Sequence, residues 1–401
     1  MDSGIKRQPM QRPALLFHDG KPLQPWYGFE QRRSYRPRCN GQPRSWMTLE
    51  QVGKETGRQH GIANTRRSDK QDMHFADPGR PYIWRAPACQ ESDPRLPLPA
   101  MANGSFVLLD NRGVLAVSGP DRRAFLQGLV SNDVEKVGPE MACYAALLTA
   151  QGKYLHDFIM IETGESIWLD AEASRLADLK KRLSIYRLRA KASLEEIPEL
   201  AVAAVFGEGA RVALGLHSEP GAARRYPWGL AFVDPRLTAL GARCILPSTT
   251  APAVLADAGL VEADFEAYDH LRLSLGVPDG SHDLVLEKSI LLESGFDELN
   301  GVDWQKGCYV GQELTARTKY RGLIKKRLMP VRIDGPAPPP GTIVSADGRE
   351  VGEMRSSRNG VGLALLRTEP ALEGKHLTAG DAVIVAMKPD WMRLNGERES
   401  L

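Results

Sequence analysis

The chain has 401 residues, 42% of them hydrophobic, and its 52 lysines and arginines nearly balance its 50 aspartates and glutamates. A globular chain of this length can bury a substantial core and holds two or three domains at roughly 100–200 residues each. No apolar run is long enough to span a bilayer, and the N-terminal stretch MDSGIKRQPMQRP lacks the apolar region of a secretory signal, so we expect a cytoplasmic protein with no membrane partner.

The cysteines do not form a metal-binding or redox pattern. No two are spaced as C-x-x-C, and none is paired with histidine as in a zinc finger. We therefore expect no resident metal site, and free thiols in a reducing compartment. The five cysteines are Cys39, Cys89, Cys143, Cys244 and Cys308.

Residues 1–100 differ in kind from the rest of the chain. They hold 17 basic and 10 acidic residues and 12 of the 28 prolines, without sustained helical or strand periodicity. This composition is typical of a disordered extension, which the working protein does not need if it starts at Met101. Basic runs such as QRRSYRPR leave nucleic-acid binding as the weaker interpretation.

From Ser105 onward the pattern predicts mixed helices and strands, because stretches of strand-like and helix-like apolar spacing alternate. The predicted elements are a strand at 114–117, a helix from 118 that ends near 131–133, strands at 145–149 and 158–161 around a turn at 151–153, a helix at 173–183, and strands at 202–206 and 212–216.

The C-terminal part reads as a small barrel. A Pro/Gly-rich segment at 335–341 marks a boundary, and short strands with turns between them follow. The chain is thus predicted to be an α+β protein with regions at 101–328 and 329–390 and a tail at 391–401. The strands predicted beyond the boundary lie at 342–345, 350–355, 360–366 and 382–387.

The stretch KGCYVGQE at 306–313 places a thiol between a glycine and an aromatic residue. If Lys306 folds toward Cys308, its ammonium favours the thiolate, the form that acts as a nucleophile or soft-metal ligand. Gly307 and Gly311 suit a tight loop close to a ligand. The alternative left open is that Cys308 is a small buried core residue.

Four segments carry a family resemblance. They are SGPDRRAFLQGLVSNDV (118–134), LLTAQGKYLHDFIM (147–160), LLESGFDELNGVDWQKGCYVGQELTARTKYRGLIKKRL (291–328) and the C-terminal strands. Together they resemble the folate-binding YgfZ family, relatives of the aminomethyltransferase (T-protein) of glycine cleavage, and ELTART after the cysteine block is similar to the mitochondrial iron–sulfur assembly members. The resemblance covers about residues 101–390. It implies a three-lobed fold around a central folate site, with two lobes in 101–328 and the barrel as the third.

The same resemblance implies a function. It points to a folate-dependent factor for assembly or repair of 4Fe-4S clusters, with tetrahydrofolate or another reduced folate as cofactor and iron–sulfur carrier or client proteins as partners. The alternative is a tetrahydrofolate-dependent aminomethyl or one-carbon transferase. Two positions argue against it: His156 replaces one acid of the T-protein pair G-G-I-x-D-D, and Tyr268 replaces the first arginine of A-R-D-x-L-R-L. Whether the protein is an enzyme stays open.

Cys308 and Lys306 are the residues expected to carry chemistry. One thiolate cannot hold a 4Fe-4S cluster, which needs about four ligands, so a partner protein or small thiols would supply the rest.

The folate site is expected to use carboxylates and cations. A pterin edge binds a carboxylate through two charge-assisted hydrogen bonds, for which Asp157 and Glu293 are the candidates. The anionic glutamate tail needs cations, and the available ones are Arg272, Arg317, Lys319 and Arg321. The remaining residues of the predicted folate site are Tyr268, Gln312 and Glu313, and for the last two a purely structural role in the loop is the alternative.

Overall fold

The computed structural model describes residues 17–18, 21–22, 104–322, 324–373 and 375–394. The chain divides into two units, Met1–Pro81 and Tyr82–Leu401. In the first unit the described residues form one antiparallel ribbon of β1 (Phe17–His18) and β2 (Lys21–Pro22). The expected disorder of the remaining residues of 1–100 lies outside the described residues. No helix in the described ranges is both long and apolar enough to cross a bilayer.

The second unit mixes strands and helices along its described length. Its strands are β3 (Ser105–Leu108), β4 (Arg112–Ser118), β5 (Cys143–Leu148), β6 (Tyr154–Thr163), β7 (Ser166–Glu172), β8 (Ser193–Glu196), β9 (Leu200–Phe206), β10 (Ala223–Tyr226), β11 (Gly229–Val233), β12 (Ala242–Pro247), β13 (Val261–Glu262), β14 (Lys326–Asp334), β15 (Ile343–Ala346), β16 (Arg349–Arg358), β17 (Val361–Arg367), β18 (Leu377–Ala379) and β19 (Ala382–Ala386). Its α-helices are α1 (Arg122–Gln127), α2 (Leu176–Arg187), α3 (Ala210–Ala213), α4 (Ala251–Asp257), α5 (Phe265–Ser274), α6 (Gly280–Asp283), α7 (Gln312–Tyr320) and α8 (Thr368–Leu372).

These strands form three lobes. The first is a five-stranded sheet in the order β5-β6-β7-β4-β8, and the second is a six-stranded sheet in the order β10-β11-β12-β9-β3-β13. The third is a closed barrel in the order β14-β17-β16-β15-β18-β19. This confirms the α+β class with a small C-terminal barrel.

The first lobe follows from its apolar pattern. Strand β6 is buried from Tyr154 to Ile161, as expected for a strand covered on both faces. Helix α2 covers this lobe with leucines at helical spacing, Leu176, Leu179 and Leu183, all buried. Each such leucine stabilises the lobe by roughly 1.5–3 kcal/mol.

One apolar core joins the three lobes. Tyr144 of the first lobe, Phe232 of the second and Leu328 of the barrel are buried in the same cluster. Phe296, from the segment before the barrel, stacks on Tyr144 with ring centroids 5.0 Å apart. The stretch KGCYVGQE at 306–313 therefore follows, along the chain, directly after residues of this shared core.

Two predictions about local structure are wrong. Residues 212–216, expected as a strand, include the end of α3, because Ala210 and Ala213 are buried one helical turn apart while Val212 is 59% exposed. The predicted boundary at 335–341 is a loop inside the barrel, between β14 and β15. Its prolines and glycines mark a long turn between paired strands, which composition alone does not distinguish from a linker.

Candidate functional site

A cavity of about 660 Å³ opens where the segment before the Cys308 loop meets the two sheets. Its wall includes the start of β5, the residues after β11 and the stretch 297–303. The lining residues are Asn132, Lys136, Met141, Ala142, Cys143, Tyr144, Glu219, Pro220, Pro235, Asp297, Asn300, Val302 and Asp303. A larger cleft of about 940 Å³ lies on the barrel, and none of the predicted site residues lines either space. The smaller cavity is the one beside the segment that leads to Cys308, because Asp297, Asn300, Val302 and Asp303 line it.

The serine and asparagine after α1 fasten the first lobe to the cavity wall. Asn132 donates its amide to the carbonyl oxygens of Tyr144, at 2.7 Å, and Asn300, at 2.8 Å. The hydroxyl of Ser131 donates to the Gly301 carbonyl at 2.6 Å. Both side chains are buried, so losing either one leaves backbone carbonyls without a partner.

The Lys306 side chain anchors the loop that carries Cys308. Its ammonium donates to the carbonyl oxygens of Gln127, Val130 and Asn132 at 2.9, 2.6 and 2.7 Å, which uses all three protons. The residue is 7% exposed, and burial lowers the pKa of Lys306 to about 8, so the amine is still charged at neutral pH. The structure therefore gives Lys306 a partner set in the backbone rather than the expected pairing with the Cys308 thiol.

Asp303 shapes the same turn from the cavity side. Its carboxylate accepts the backbone N–H groups of Gln305 and Lys306, at 2.6 and 2.8 Å, and the Lys136 ammonium at 2.5 Å. Burial opposes ionisation, but the Lys136 hydrogen bond and the two amides outweigh it and lower the pKa of Asp303. The carboxylate thus stays ionised while it fixes the turn before Gly307.

Cys308 is exposed at the tip of this loop, whereas Cys143 and Cys244 are buried. Burial raises the pKa of the Cys143 thiol to about 11 and raises that of Cys244 further, so neither is a thiolate at neutral pH. Among the described residues no group of three or more histidine, cysteine and acidic side chains is arranged to hold a metal ion. Of the three described thiols, that of Cys308 is the one open to solvent.

The far end of the loop is pressed onto the β5–β6 hairpin. Gly311 has φ +83°, and a Cβ there would lie 2.5 Å from the Thr149 carbonyl oxygen and 3.0 Å from the Gly152 Cα. Only glycine fits such an approach, after which α7 begins at Gln312. Three of the four segments that carry the family resemblance, 118–134, 147–160 and 291–328, thus meet around the loop that carries Cys308.

The sequence is 37% identical over 306 residues to the mouse mitochondrial iron–sulfur cluster assembly factor IBA57, covering 71% of this chain and 84% of that protein. For the human protein of the same name the values are 36% over 352 residues, 80% and 97%. The chain belongs to the IBA57 family. Residues 325–394 also match the C-terminal beta-barrel domain of CAF17.

These relatives correct one prediction. The mouse, human and Neurospora crassa proteins are named as mitochondrial, so the expected cytoplasmic location is wrong. The lack of a secretory signal and a membrane span does not distinguish cytoplasm from mitochondria.

The fold is similar to the crystal structure of glycine cleavage system aminomethyltransferase T from Bartonella henselae. The TM-score is 0.61 and the identity 17%, and the match covers 73% of this chain and 87% of that chain.

In this IBA57-family chain, Asp157 lies behind the cavity wall. Its oxygens accept the hydroxyls of Tyr144, at 2.9 Å, and Tyr154, at 2.7 Å, and the residue is 4% exposed. Burial raises the pKa of both tyrosines, which keeps them protonated as donors. Because Tyr144 also lines the cavity, Asp157 acts on the cavity through that ring.

His156 faces the opposite side of β6, as alternation along a strand requires. Its Nε2 lies 2.9 Å from the Asp178 carboxylate on α2. Burial, together with the positive charge of Arg175, lowers the pKa of His156 to about 4, so the ring is neutral at physiological pH. His156, which stands where the T-protein pattern has its first acid, therefore points its side chain toward α2 and away from Asp157.

Arg272 and Tyr268 belong to buried networks rather than to the cavity wall. The Arg272 guanidinium lies 2.7 Å from Asp269 and 2.6 Å from Asp283, and also donates to Ser356 of β16 at 3.3 Å. These bonds tie α5 to the barrel and leave no charge free for a glutamate tail. The Tyr268 hydroxyl accepts hydrogen bonds from two buried arginines, Arg236 and Arg243.

The other predicted residues are dispersed. Glu293 is half-buried on a 3₁₀ turn, where burial outweighs nearby lysines and raises its pKa. Glu313 is exposed and pairs with Arg317 at 2.5 Å, and Gln312 begins α7. Lys319 is better placed, since it pairs with Asp297 of the cavity wall.

The residues that build the site without having been singled out are Asn132, Lys136, Asn300 and Asp303. Except for Lys136, they lie in the stretches VSNDV (130–134) and NGVDW (300–304), inside the segments that carry the family resemblance. The sequence does not predict their role, because that role depends on which distant backbone carbonyls and amides each side chain contacts.

Proposed function

We propose that this chain takes part in assembling 4Fe-4S clusters in client proteins and that Cys308 is its contact with the cluster or a sulfur intermediate. The supporting observation is an exposed thiol on a loop that is fixed at both ends. Lys306 holds one end through its hydrogen bonds to three backbone carbonyls, and Gly311 packs the other end against the β5–β6 hairpin. A thiolate is a soft ligand suited to iron–sulfur species, and fixing its backbone lowers the entropy lost on contact.

The loop can offer one thiolate, and a cluster needs about four ligands. A carrier or client protein would supply the remaining ligands, which fits the mitochondrial assembly factors that the chain is related to. The exposure of Cys308 allows such a partner to approach. Cys143 in the cavity wall does not compete, because its buried thiol stays protonated.

A reduced folate is the cofactor that suits the cavity. Its volume of about 660 Å³ lies within the range of small-molecule sites, and Tyr144 offers an aromatic ring beside the carboxylates of Asp297 and Asp303. Lys136 pairs with Asp303 and Lys319 with Asp297, but both lysines are exposed, unlike the buried Arg272, so a ligand can exchange these pairs. A folate would do so with its pterin edge on the carboxylates and its anionic tail on the two lysines. Bound there, a reduced folate would supply a one-carbon or reducing group beside the Cys308 loop.

Calorimetric titration with tetrahydrofolate tests the cofactor. Asp303→Asn should weaken binding by about 1.5–3 kcal/mol if a charged hydrogen bond is lost. Asp157→Asn, behind the wall, should have a smaller effect that acts through Tyr144. Glu313→Gln on the exposed face of α7 serves as the control and should bind like wild type. Absence of binding at millimolar folate would remove the cofactor from the proposal without touching the role of Cys308.

Complementation tests the function itself. In cells that lack the endogenous family member, wild type should restore 4Fe-4S enzyme activities, and Cys308→Ser should not, although the variant stays folded. Cys244→Ala is the matched control at a buried thiol and should restore activity. Full rescue by Cys308→Ser would show that the thiol has no essential chemistry.

A further inference from the structure

The end of α2 and the turn after it carry a basic surface that the proposed function does not use. The segment 180–191, here named the α2 patch, has six basic residues and no acidic one. Lys180 and Arg182 form ion pairs with acids that flank the patch, Asp178, Glu196 and Glu287. Within the described ranges no ion pair involves the other four basic residues, which are Lys181, Arg187, Arg189 and Lys191, all exposed.

Three large apolar side chains stand among these cations. Ile185 is 64% exposed, Tyr186 is 42% exposed and Leu188 is 90% exposed. Single exposed apolar residues are common on protein surfaces, but here three occur within four residues, at the C-terminal end of α2 beyond its last buried leucine, Leu183. A side chain that is 90% exposed protrudes, so it does not line a groove shaped for a partner.

The backbone at the tip of the patch is strained. Leu188 follows α2 with φ +41° and ψ −103°, a combination outside the regions allowed for residues with a side chain, which glycine adopts far more easily than leucine. Backbone strain persists only where the surrounding structure holds it, and strained residues cluster at functional sites. The conformation places Leu188 outward between Arg187 and Arg189.

We propose that the α2 patch binds the surface of an anionic lipid bilayer. Lipid headgroups match the four unpaired cations, and the acyl boundary accepts protruding leucine, isoleucine and tyrosine without a preformed pocket. An acidic protein would need a concave apolar site around Leu188, whereas a fluid bilayer adapts to the convex tip. This contact is peripheral and reversible, since it involves one helix end and no spanning segment.

Vesicle flotation with the full chain tests the proposal. The protein should float with vesicles of phosphatidylcholine and phosphatidylglycerol in equal parts, but not with phosphatidylcholine alone, and high salt should release it. Each basic residue near such a surface is worth about 1 kcal/mol, or about fivefold in partitioning, so Lys181→Gln with Arg187→Gln and Arg189→Gln should lower partitioning about a hundredfold.

The matched control removes the same charge from the barrel, by Arg332→Gln with Arg349→Gln and Arg367→Gln. All three arginines are exposed, and none forms an ion pair within the described residues. Since residues 1–100 are the same in both triple variants, any difference between them reports the patch. The barrel triple should keep most of the binding. Equal losses in the two triples, or equal flotation with neutral vesicles, would overturn the proposal.

Two further measurements separate lipid contact from a protein contact. Leu188→Gly relieves the strained backbone while removing the apolar side chain, so it should lower partitioning about fivefold without lowering stability. Anionic vesicles should slow trypsin cleavage at Arg187 and Arg189 and leave cleavage at Arg349 unchanged. If vesicles protect none of these sites while an acidic protein partner does, the patch is a protein-docking surface and the bilayer proposal fails.

Discussion

Replacing Lys306 with methionine removes a buried charge while keeping most of the side-chain volume. The change takes three hydrogen-bond donors away from the carbonyls of Gln127, Val130 and Asn132. Methionine packs along the same path as the lysine stem, so the effect is mainly the loss of these bonds. The loop before Cys308 then loses its link to the end of α1.

The magnitude follows from two opposing effects. Each hydrogen bond to a charged group contributes roughly 1.5–3 kcal/mol. Against them stands the burial of the ammonium, which lowers the pKa of Lys306 to about 8. Removing the charge relieves that burial but leaves three carbonyl oxygens without their donor, at about 1–3 kcal/mol each, so we expect Lys306→Met to destabilise the protein by about 3 kcal/mol. The melting temperature should fall by about 5–10 °C.

Urea unfolding followed by circular dichroism measures this change. Lys319→Met is the control, because Lys319 is 41% exposed and its ion pair with Asp297 is worth at most about 1 kcal/mol. The same samples should show altered access of an alkylating reagent to Cys308 in Lys306→Met, since the loop is released. A loss below 1 kcal/mol for Lys306→Met, or an equal loss for both variants, would refute the view of Lys306 as the anchor of the loop.

Three other results are expected. Because the pKa of His156 is lowered from 6.5 to about 4, the unfolded chain binds a proton that the folded chain does not. Stability should therefore fall by up to about 3 kcal/mol as the pH drops from 6.5 to 4, and pH-dependent denaturation of His156→Gln should lack this part of the slope. Gly311→Ala should lower the free energy of unfolding by more than 2 kcal/mol through its clash with the hairpin, whereas Gly348→Ala, with open space around it, should cost about 1 kcal/mol. In the native state a thiol reagent followed by mass spectrometry should modify Cys308 quickly and leave Cys244 unmodified until unfolding, and equal labelling of both would contradict their burial.

Much of the fold could be predicted because its elements have strong local signals. The turn at Gly152 between apolar strands is a β-hairpin, and the spaced short strands after residue 341 close into a barrel. The segment 212–216 could not be predicted in the same way. Alanine, valine and leucine suit either element in a short run, and the burial of Ala213 with exposure of Val212 depends on the neighbouring sheet.

The site was less predictable, because it is built from long-range polar contacts. The sequence places Lys306 two residues before Cys308, but the ammonium meets carbonyls about 175 residues earlier in the chain. Arg272 has the charge for an anionic ligand, yet Asp269 and Asp283 neutralise it inside the fold. Residue type and spacing identify the loop, whereas the partners of each charge appear only in three dimensions.

The most direct test of the central claim is cluster transfer in a reconstituted system. A carrier protein loaded with a 4Fe-4S cluster, an apo client enzyme and either wild type or Cys308→Ser are mixed, and recovery of client activity is followed with time. Thermal unfolding confirms that both proteins are folded. We predict that wild type accelerates recovery and that Cys308→Ser does not, because serine is a hard, weakly acidic ligand. Equal acceleration by both proteins would contradict the claim that the Cys308 thiol contacts the cluster.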